Sequence, residues 1–402
     1  MSRFKPILPL PARNPNESHR PATQLELFFD LVSVIAIAAA TAGLHHAISE
    51  GHGLENLPIF IFLFTSIWWA WMNFTWFASA FDNDGPVYRL LVMLIMCGEL
   101  VFAGGAGHIF ESHDFSWGLL GWCIMRIGMA ALWLRASANP QYRLTTLRYA
   151  GGIMFAQACW IAYYFITRDA SPALFYGLAA VCFLVEFSVP MFAEKAKDTP
   201  FHRHHMIERY GLLTIISLGE IMLAISMGFG QLYGEHPSWT PVSTAISALL
   251  IVFSLFWLYF EEREHLPKRE FNTVFIWGYG HLLIFGSLAV TGAAIAAELD
   301  LSEHHGTASQ ADIAWWLGVP MAIFFLTLCI VRDRHFNLGI CGYAMPAMAV
   351  VALAAAALGM GSWVFAAIAV IAVIWRLPVR EQAVQEVRLK IEGAPLPSGR
   401  VI

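Results

Sequence analysis

Charge is what this sequence has least of. Only 13% of its 402 residues are Asp, Glu, Lys or Arg, roughly half the share found in soluble globular chains, which excludes a water-soluble fold of ordinary composition. A basic surface is missing too. The formal net charge is −5 and no Lys/Arg-rich run is present to neutralise phosphates, so nucleic-acid binding is set aside. The six cysteines (Cys97, Cys123, Cys159, Cys182, Cys329, Cys341) lie inside apolar stretches without C-x-x-C spacing. They read as small buried hydrophobes, not as metal ligands or disulfide partners. Enzyme signatures are absent: no H-E-x-x-H, G-x-S-x-G, Walker A or C-x-x-C-H occurs, and no cofactor is implied. The first 23 residues are polar and Pro-rich, unlike a cleaved signal, so the first apolar stretch is expected to be retained as a span.

What fills the chain instead is apolar. Hydrophobic residues make up 58%, and they come in stretches of about 20, enough for a helix to cross a hydrocarbon layer of about 30 Å. The expected fold is all-α, a polytopic transmembrane bundle of about twelve spans. These fall near 24–48, 57–80, 86–110, 116–138, 145–167, 172–195, 202–229, 241–262, 271–297, 312–332, 336–357 and 361–376. Pro58, Pro86, Pro172, Pro200 and Pro241 mark helix starts, where a missing N–H costs nothing. Pro190, Pro320 and Pro346 lie inside apolar stretches and predict kinks or local unwinding.

Nearly all of the 24 Lys and Arg residues fall on alternate connections and the two tails. Basic residues near span ends are retained in the cytoplasm. A bacterial cytoplasmic (inner) membrane protein with both termini inside is therefore expected, its certain partner being the lipid bilayer. The opposite connections are acidic and His-rich: Glu50, His52, Glu55; Glu111, His113, Asp114; Glu235, His236; Asp300, Glu303, His304, His305. They suit either cation attraction at an outer mouth or plain solvated loops kept free of Lys and Arg.

The first span opens Leu25-Glu26-Leu27-Phe28-Phe29-Asp30-Leu31-Val32, and the seventh reads Glu208-Arg209-Tyr210-Gly211-Leu212-Leu213-Thr214-Ile215-Ile216-Ser217-Leu218-Gly219-Glu220. Both resemble the signatures of the bacterial low-temperature-requirement A (LtrA) family. The resemblance extends through Trp68, Trp69, Trp71, Trp76 and Asp82 to Phe256-Trp257-Leu258-Tyr259-Phe260. It implies a multi-pass membrane protein named for a growth phenotype, with no agreed substrate. The opening of the first span also looks like the Phe-Ser-Asp signature of six-span-repeat potassium channels, over that helix alone and with Phe29 in place of the Ser.

Superposing Glu26-x-Phe28-x-x-Leu31 on Glu208-x-Tyr210-x-x-Leu213 suggests an internal repeat, each copy followed by an aromatic-rich and then a Gly-rich span. The organisation expected is a tail at 1–23, six spans in 24–195, six in 196–376 and a tail at 377–402. Because six is even, the two halves would enter the membrane in the same direction.

An ionisable group near mid-bilayer is by default a functional candidate. Five qualify: Glu99, Arg126, Glu186, Glu220 and His281. Glu99 lies about 13 residues from one face and Arg126 about 10 from the other, so at 1.5 Å per residue they reach similar depths and could pair, either as an ion pair that fixes helix packing or as part of a site. Glu220 has Arg209 on its own helix face, but roughly 16 Å away. It needs a partner from another helix, a proton or an ion. His281 reads either as a packed histidine or as a relay.

Thr23 and Glu26 have capping-box spacing, which makes Glu26 a cap or a site. Asp30, Ser33, Ile37, Thr41 and His45 form a stripe on one face of the first span. Either it lines a water-filled path, with Ile37 as its narrowest point, or it makes interhelical hydrogen bonds. The aromatic run from Phe64 to Phe77 is expected to pack in the core, with cation–π lining of a cavity as the alternative. His202, His204, His205 and Glu208 form either a pH-responsive cluster or a solvated helix start. Three functions follow from these features. They are a transporter or channel for protons, cations or a small solute; a non-catalytic sensor or assembly factor in low-temperature adaptation; and a lipid-acting membrane enzyme.

Overall fold

The computed structural model describes residues 10–17, 20–230, 239–261, 266, 271–302, 306–335 and 338–392, with residue 271 and residues 379–392 described by backbone alone. Among these residues there are thirteen α-helices and no strand. They are α1 (Gln24–Ser49), α2 (Gly53–Ala80), α3 (Pro86–Gly104), α4 (Ala106–Ser112), α5 (Ser116–Ala136), α6 (Arg143–Thr167) and α7 (Pro172–Glu194). Next come α8 (Arg203–Gly230), α9 (Trp239–Tyr259), α10 (Phe271–Ser302), α11 (Gln310–Val331), α12 (Ala344–Ala357) and α13 (Ser362–Glu392). Among the described residues, eleven segments are long and apolar enough to cross a membrane, and Ser362–Pro378 is a shorter apolar helix at the position expected for the twelfth. The chain is a polytopic helical membrane protein, and its helices start within a few residues of the expected positions.

Local chemistry explains the helix ends. Pro86 and Pro172 occupy the first turns of α3 and α7, where a lost N–H is harmless. Thr23 and Glu26 form the expected capping box: the Thr23 N–H donates to Glu26 Oε2 at 2.7 Å and the Glu26 N–H to Thr23 Oγ1 at 3.2 Å. Ser309 and Asp312 form a second at the start of α11. One expectation needs correction: Pro58 lies inside α2, which begins at Gly53, and does not mark its start. The third span is broken at Gly105, where a Cβ would come within 2.7 Å of Trp117 Cβ. Pro346 lies inside the apolar segment Gly339–Ala357, in the first turn of α12, and the local unwinding it predicts is the 3-10 turn at Gly339–Tyr343 just ahead of it. Past its apolar part, Ser362–Pro378, the backbone of α13 stays helical to Glu392.

The chain folds as two compact units, one of Met1–Gly43 with Leu57–Leu212 and the other of Leu44–Asn56 with Leu213–Ile402. In the first, α3 packs on α5, α5 on α6 and α6 on α7. Its centre is aromatic: Trp68, Trp71, Phe74, Trp122 and Trp160 are fully enclosed, as the run through the second span suggested. Because lipid gives helices no hydrophobic reason to associate, close packing must hold them. The α3–α5 seam shows how. A Cβ on Gly98 would lie 2.6 Å from the Gly121 carbonyl oxygen, and one on Gly121 would lie 2.5 Å from that of Gly98. In the second unit, α10 packs on α11, α11 on α12 and α9 on α13, and Gly318 of α11 meets Ala352 and Ala356 of α12 with no room for a side chain.

Candidate functional site

The first unit gathers buried charge around the N-terminal turns of α1. Glu26 and Asp30 stand one turn apart, on the same face, and both are buried. Arg209 of α8 answers both: Nη1 is 3.2 Å from Glu26 Oε1, Nη2 donates to Asp30 Oδ1 at 2.5 Å and Nε to Asp30 Oδ2 at 3.2 Å. The Trp71 indole of α2 adds a 2.6 Å bond to Asp30 Oδ1. Glu26 Oε1 also lies 3.1 Å from His205 Nε2, so Glu26 is cap and ion-pair partner at once.

Arg20 closes this cluster from the chain ahead of α1. It donates to the Ala78 carbonyl at 2.7 Å and to that of Ser79 at the end of α2, and lies 3.9 Å from both Glu26 and Asp82. Burial lowers Arg20 from its ordinary value. Burial also lifts the Asp82 carboxyl above the usual carboxylate range, against the Asp84 N–H and the Arg20 charge. Of the expected histidine cluster, His202 and His205 are buried while His204 and Glu208 face outward. His205 is thus part of the ion cluster and not of a solvated helix start.

One turn beyond Asp30, Ser33 is fully buried and faces Glu99 of α3. Neither Glu99 oxygen has a hydrogen-bond partner among the described residues, nor does the Ser33 hydroxyl have a well-formed one. The pairing of Glu99 with Arg126 that their depths allow does not occur. Arg126 Nη2 binds Glu186 Oε1 of α7 at 3.0 Å and its guanidinium stacks over Trp122, 5.0 Å from the ring centroid, while Trp69 donates to Glu186 Oε2 at 2.9 Å. Equal depth fixes the level of two groups but not the direction each faces around its helix. Further along the stripe, Ile37 is buried and Thr41 is half-buried, its hydroxyl donating to the Ile37 carbonyl at 2.9 Å.

The second unit holds its own groups. His281 of α10 is buried, with Nδ1 2.7 Å from the Trp277 carbonyl and Nε2 3.0 Å from the Tyr259 hydroxyl. A carbonyl only accepts, so Nδ1 carries the proton and Nε2 accepts from Tyr259. Glu220 is exposed on α8 and has no ion pair or hydrogen bond to a described residue. His45 and Ser49 meet Asp300 at 2.7 and 2.6 Å. Glu235, His236, Glu303, His304 and His305, like Arg3, Lys5, Arg263, Lys268, Arg269 and Arg400 of the basic pattern, lie outside the described residues. Among those that are described, no group of His, Cys, Asp and Glu could hold a metal.

A second buried ion cluster was not visible in the sequence. Arg376 of α13 reaches Glu261 at 2.6 Å and Asp333 at 2.8 Å, and Arg332 reaches Asp333 at 2.7 Å and Glu261 at 3.5 Å. All four are buried, and burial lifts the Glu261 carboxyl against the pull of both arginines.

Comparison with known proteins agrees with the motifs. The model of the family described as "Bacterial low temperature requirement A protein (LtrA)" matches residues 21–377. An uncharacterized protein of Rhizobium meliloti (strain 1021) is 25% identical over 339 residues, covering 80% of this chain and 79% of that one. No solved structure matches. From Arg20 and Glu26 to Arg376, every buried charge described above lies on or beside the matched span, and the chain belongs to the bacterial low temperature requirement A family.

Proposed function

We propose that this protein is a proton- or cation-linked transporter of the bacterial cytoplasmic (inner) membrane, with both termini in the cytoplasm and Glu99 as the ion-binding acid. Glu99 carries the reading. Buried charges kept for packing are paired, as Arg126 with Glu186 and Arg209 with Asp30 are here, whereas the Glu99 carboxyl is enclosed with neither oxygen partnered among the described residues. An acid that must take up a proton or an ion in order to sit in the membrane is a central part of a coupled transporter. The stripe on α1 leads to it, with the Asp30 charge at one end and Ser33 beside the acid. Ile37, the next turn on, is the apolar constriction of this path. The bias of Lys and Arg supports the orientation, and the paired Glu-x-aromatic-x-x-Leu segments at 26–31 and 208–213 support two parallel six-span halves, 24–195 and 196–376.

The test is flux in liposomes containing the purified protein, screened over alkali cations and small solutes with and without a pH gradient. At least one should cross faster than in empty liposomes, at a rate the pH gradient changes. A null result across the panel would contradict the proposal.

A further inference from the structure

Building on the reading of this chain as a coupled transporter, we infer that the coupling ion is a proton, held by the Glu99 carboxyl as the neutral acid, and not a metal cation. The supply of ligands decides between them. A hard cation leaving water must recover a shell of about six or more oxygens. Among the described residues, neither Glu99 oxygen meets a hydrogen-bond partner, and the Ser33 hydroxyl is the polar side chain that faces them. Asp30, the next acid, is already engaged, its Oδ1 by Trp71 and Arg209 and its Oδ2 by Arg209.

Backbone carbonyls offer nothing more at this level. Membrane cation sites take carbonyl ligands where a spanning helix unwinds. Here α1 is helical without interruption over Gln24–Ser49, α3 over Pro86–Gly104 and α5 over Ser116–Ala136, so the carbonyls near Glu99 are used in their own helices. The one break in the third span, at Gly105, lies more than a turn beyond the acid.

Counter-charge is equally short. Arg209 is shared between Glu26 and Asp30, and Arg126 is turned to Glu186. A carboxylate at Glu99 would stand without a cation among the described residues and beside the charge of Asp30, which is costly in a medium of low dielectric constant. A single proton removes that cost and needs no further ligand. It adds to the carboxylate to give the acid, whose O–H is then a donor with the Ser33 oxygen within reach as its acceptor. Release returns the proton to water, and no other bond changes. The two acids thereby divide the work: Asp30, under Arg209 and Trp71, is the fixed charge, and Glu99 is the carrier.

Infrared spectra of the protein in lipid read this directly. A protonated-carboxyl band should be present, shift on transfer to heavy water, fade as pH rises and be missing from Glu99→Gln. Sodium, potassium and lithium should leave it unchanged. Should that variant not fold, an apolar carbodiimide, which reacts with a carboxyl only in its protonated form, should modify Glu99 in the wild-type chain, as located by mass spectrometry, with no protection by alkali cations. The inference is overturned if neither the band nor the adduct is found at any pH, or if an alkali cation at constant pH abolishes either one. Both readouts report on the acid itself. A protein that shows them and moves nothing across a liposome refutes transport while leaving the proton site in place.

Discussion

Replacing Arg209 with methionine keeps an unbranched chain of similar reach and removes the guanidinium on which two buried acids depend. Contacts to three residues vanish: the 3.2 Å approach to Glu26, the bonds to Asp30 at 2.5 and 3.2 Å, and the stacking over Phe74 at 5.8 Å. Breaking a buried pair by deleting one partner costs about 3–5 kcal/mol, or roughly a hundred- to several-thousand-fold in the folding equilibrium. The loss falls unevenly. Glu26 keeps the Thr23 N–H and His205 and has Arg20 at 3.9 Å, while Asp30 keeps only Trp71 among its described partners. Adding Asp30→Asn to Arg209→Met should therefore recover most of the lost stability, and adding Glu26→Gln should recover less. Unfolding in mixed micelles with a denaturing detergent, followed by tryptophan fluorescence, measures all four proteins. Arg209→Met within about 0.5 kcal/mol of wild type, or no rescue by Asp30→Asn, would refute the reasoning.

Two further outcomes are expected from the same assay. Gly121→Ala should lose about 1–3 kcal/mol, because its Cβ would lie 2.5 Å from a backbone oxygen that cannot move aside; Gly151→Ala, with nothing within 4 Å, should stay within about 0.5 kcal/mol of wild type. Arg376→Met should lose about 3–5 kcal/mol, since Glu261 and Asp333 would be left to Arg332 alone; a silent variant would mean that this cluster is solvated.

Span number and limits were readable because length and apolarity are properties of a single segment, and a bilayer tests little else. The Thr23–Glu26 cap was readable for the same reason, being local. Partner choice was not. Asp30 and Arg209 are separated by 179 residues, and which helix faces which is set by packing seams such as Gly98 against Gly121. Hence depth allows Arg126 to pair with Glu99, whereas α7 supplies Glu186. Arg332 and Arg376 belong to the bias of Lys and Arg on alternate connections, yet both turn inward to meet Glu261 and Asp333. A usable signal existed in the Glu208-Arg209 pair, where a basic residue inside the motif of the seventh span sits opposite the acids of the first. Trp71 as a donor to Asp30 had no sequence signal beyond its place in an aromatic run.

The most direct measurement of the central claim compares wild-type protein and Glu99→Gln in liposomes, recording transport while the inner pH is stepped against a constant outer pH. In the wild type the rate should follow the pH gradient. In the variant, which keeps the shape of the side chain and cannot titrate, any residual transport should be indifferent to the gradient. Unchanged dependence on the gradient in Glu99→Gln would contradict the account.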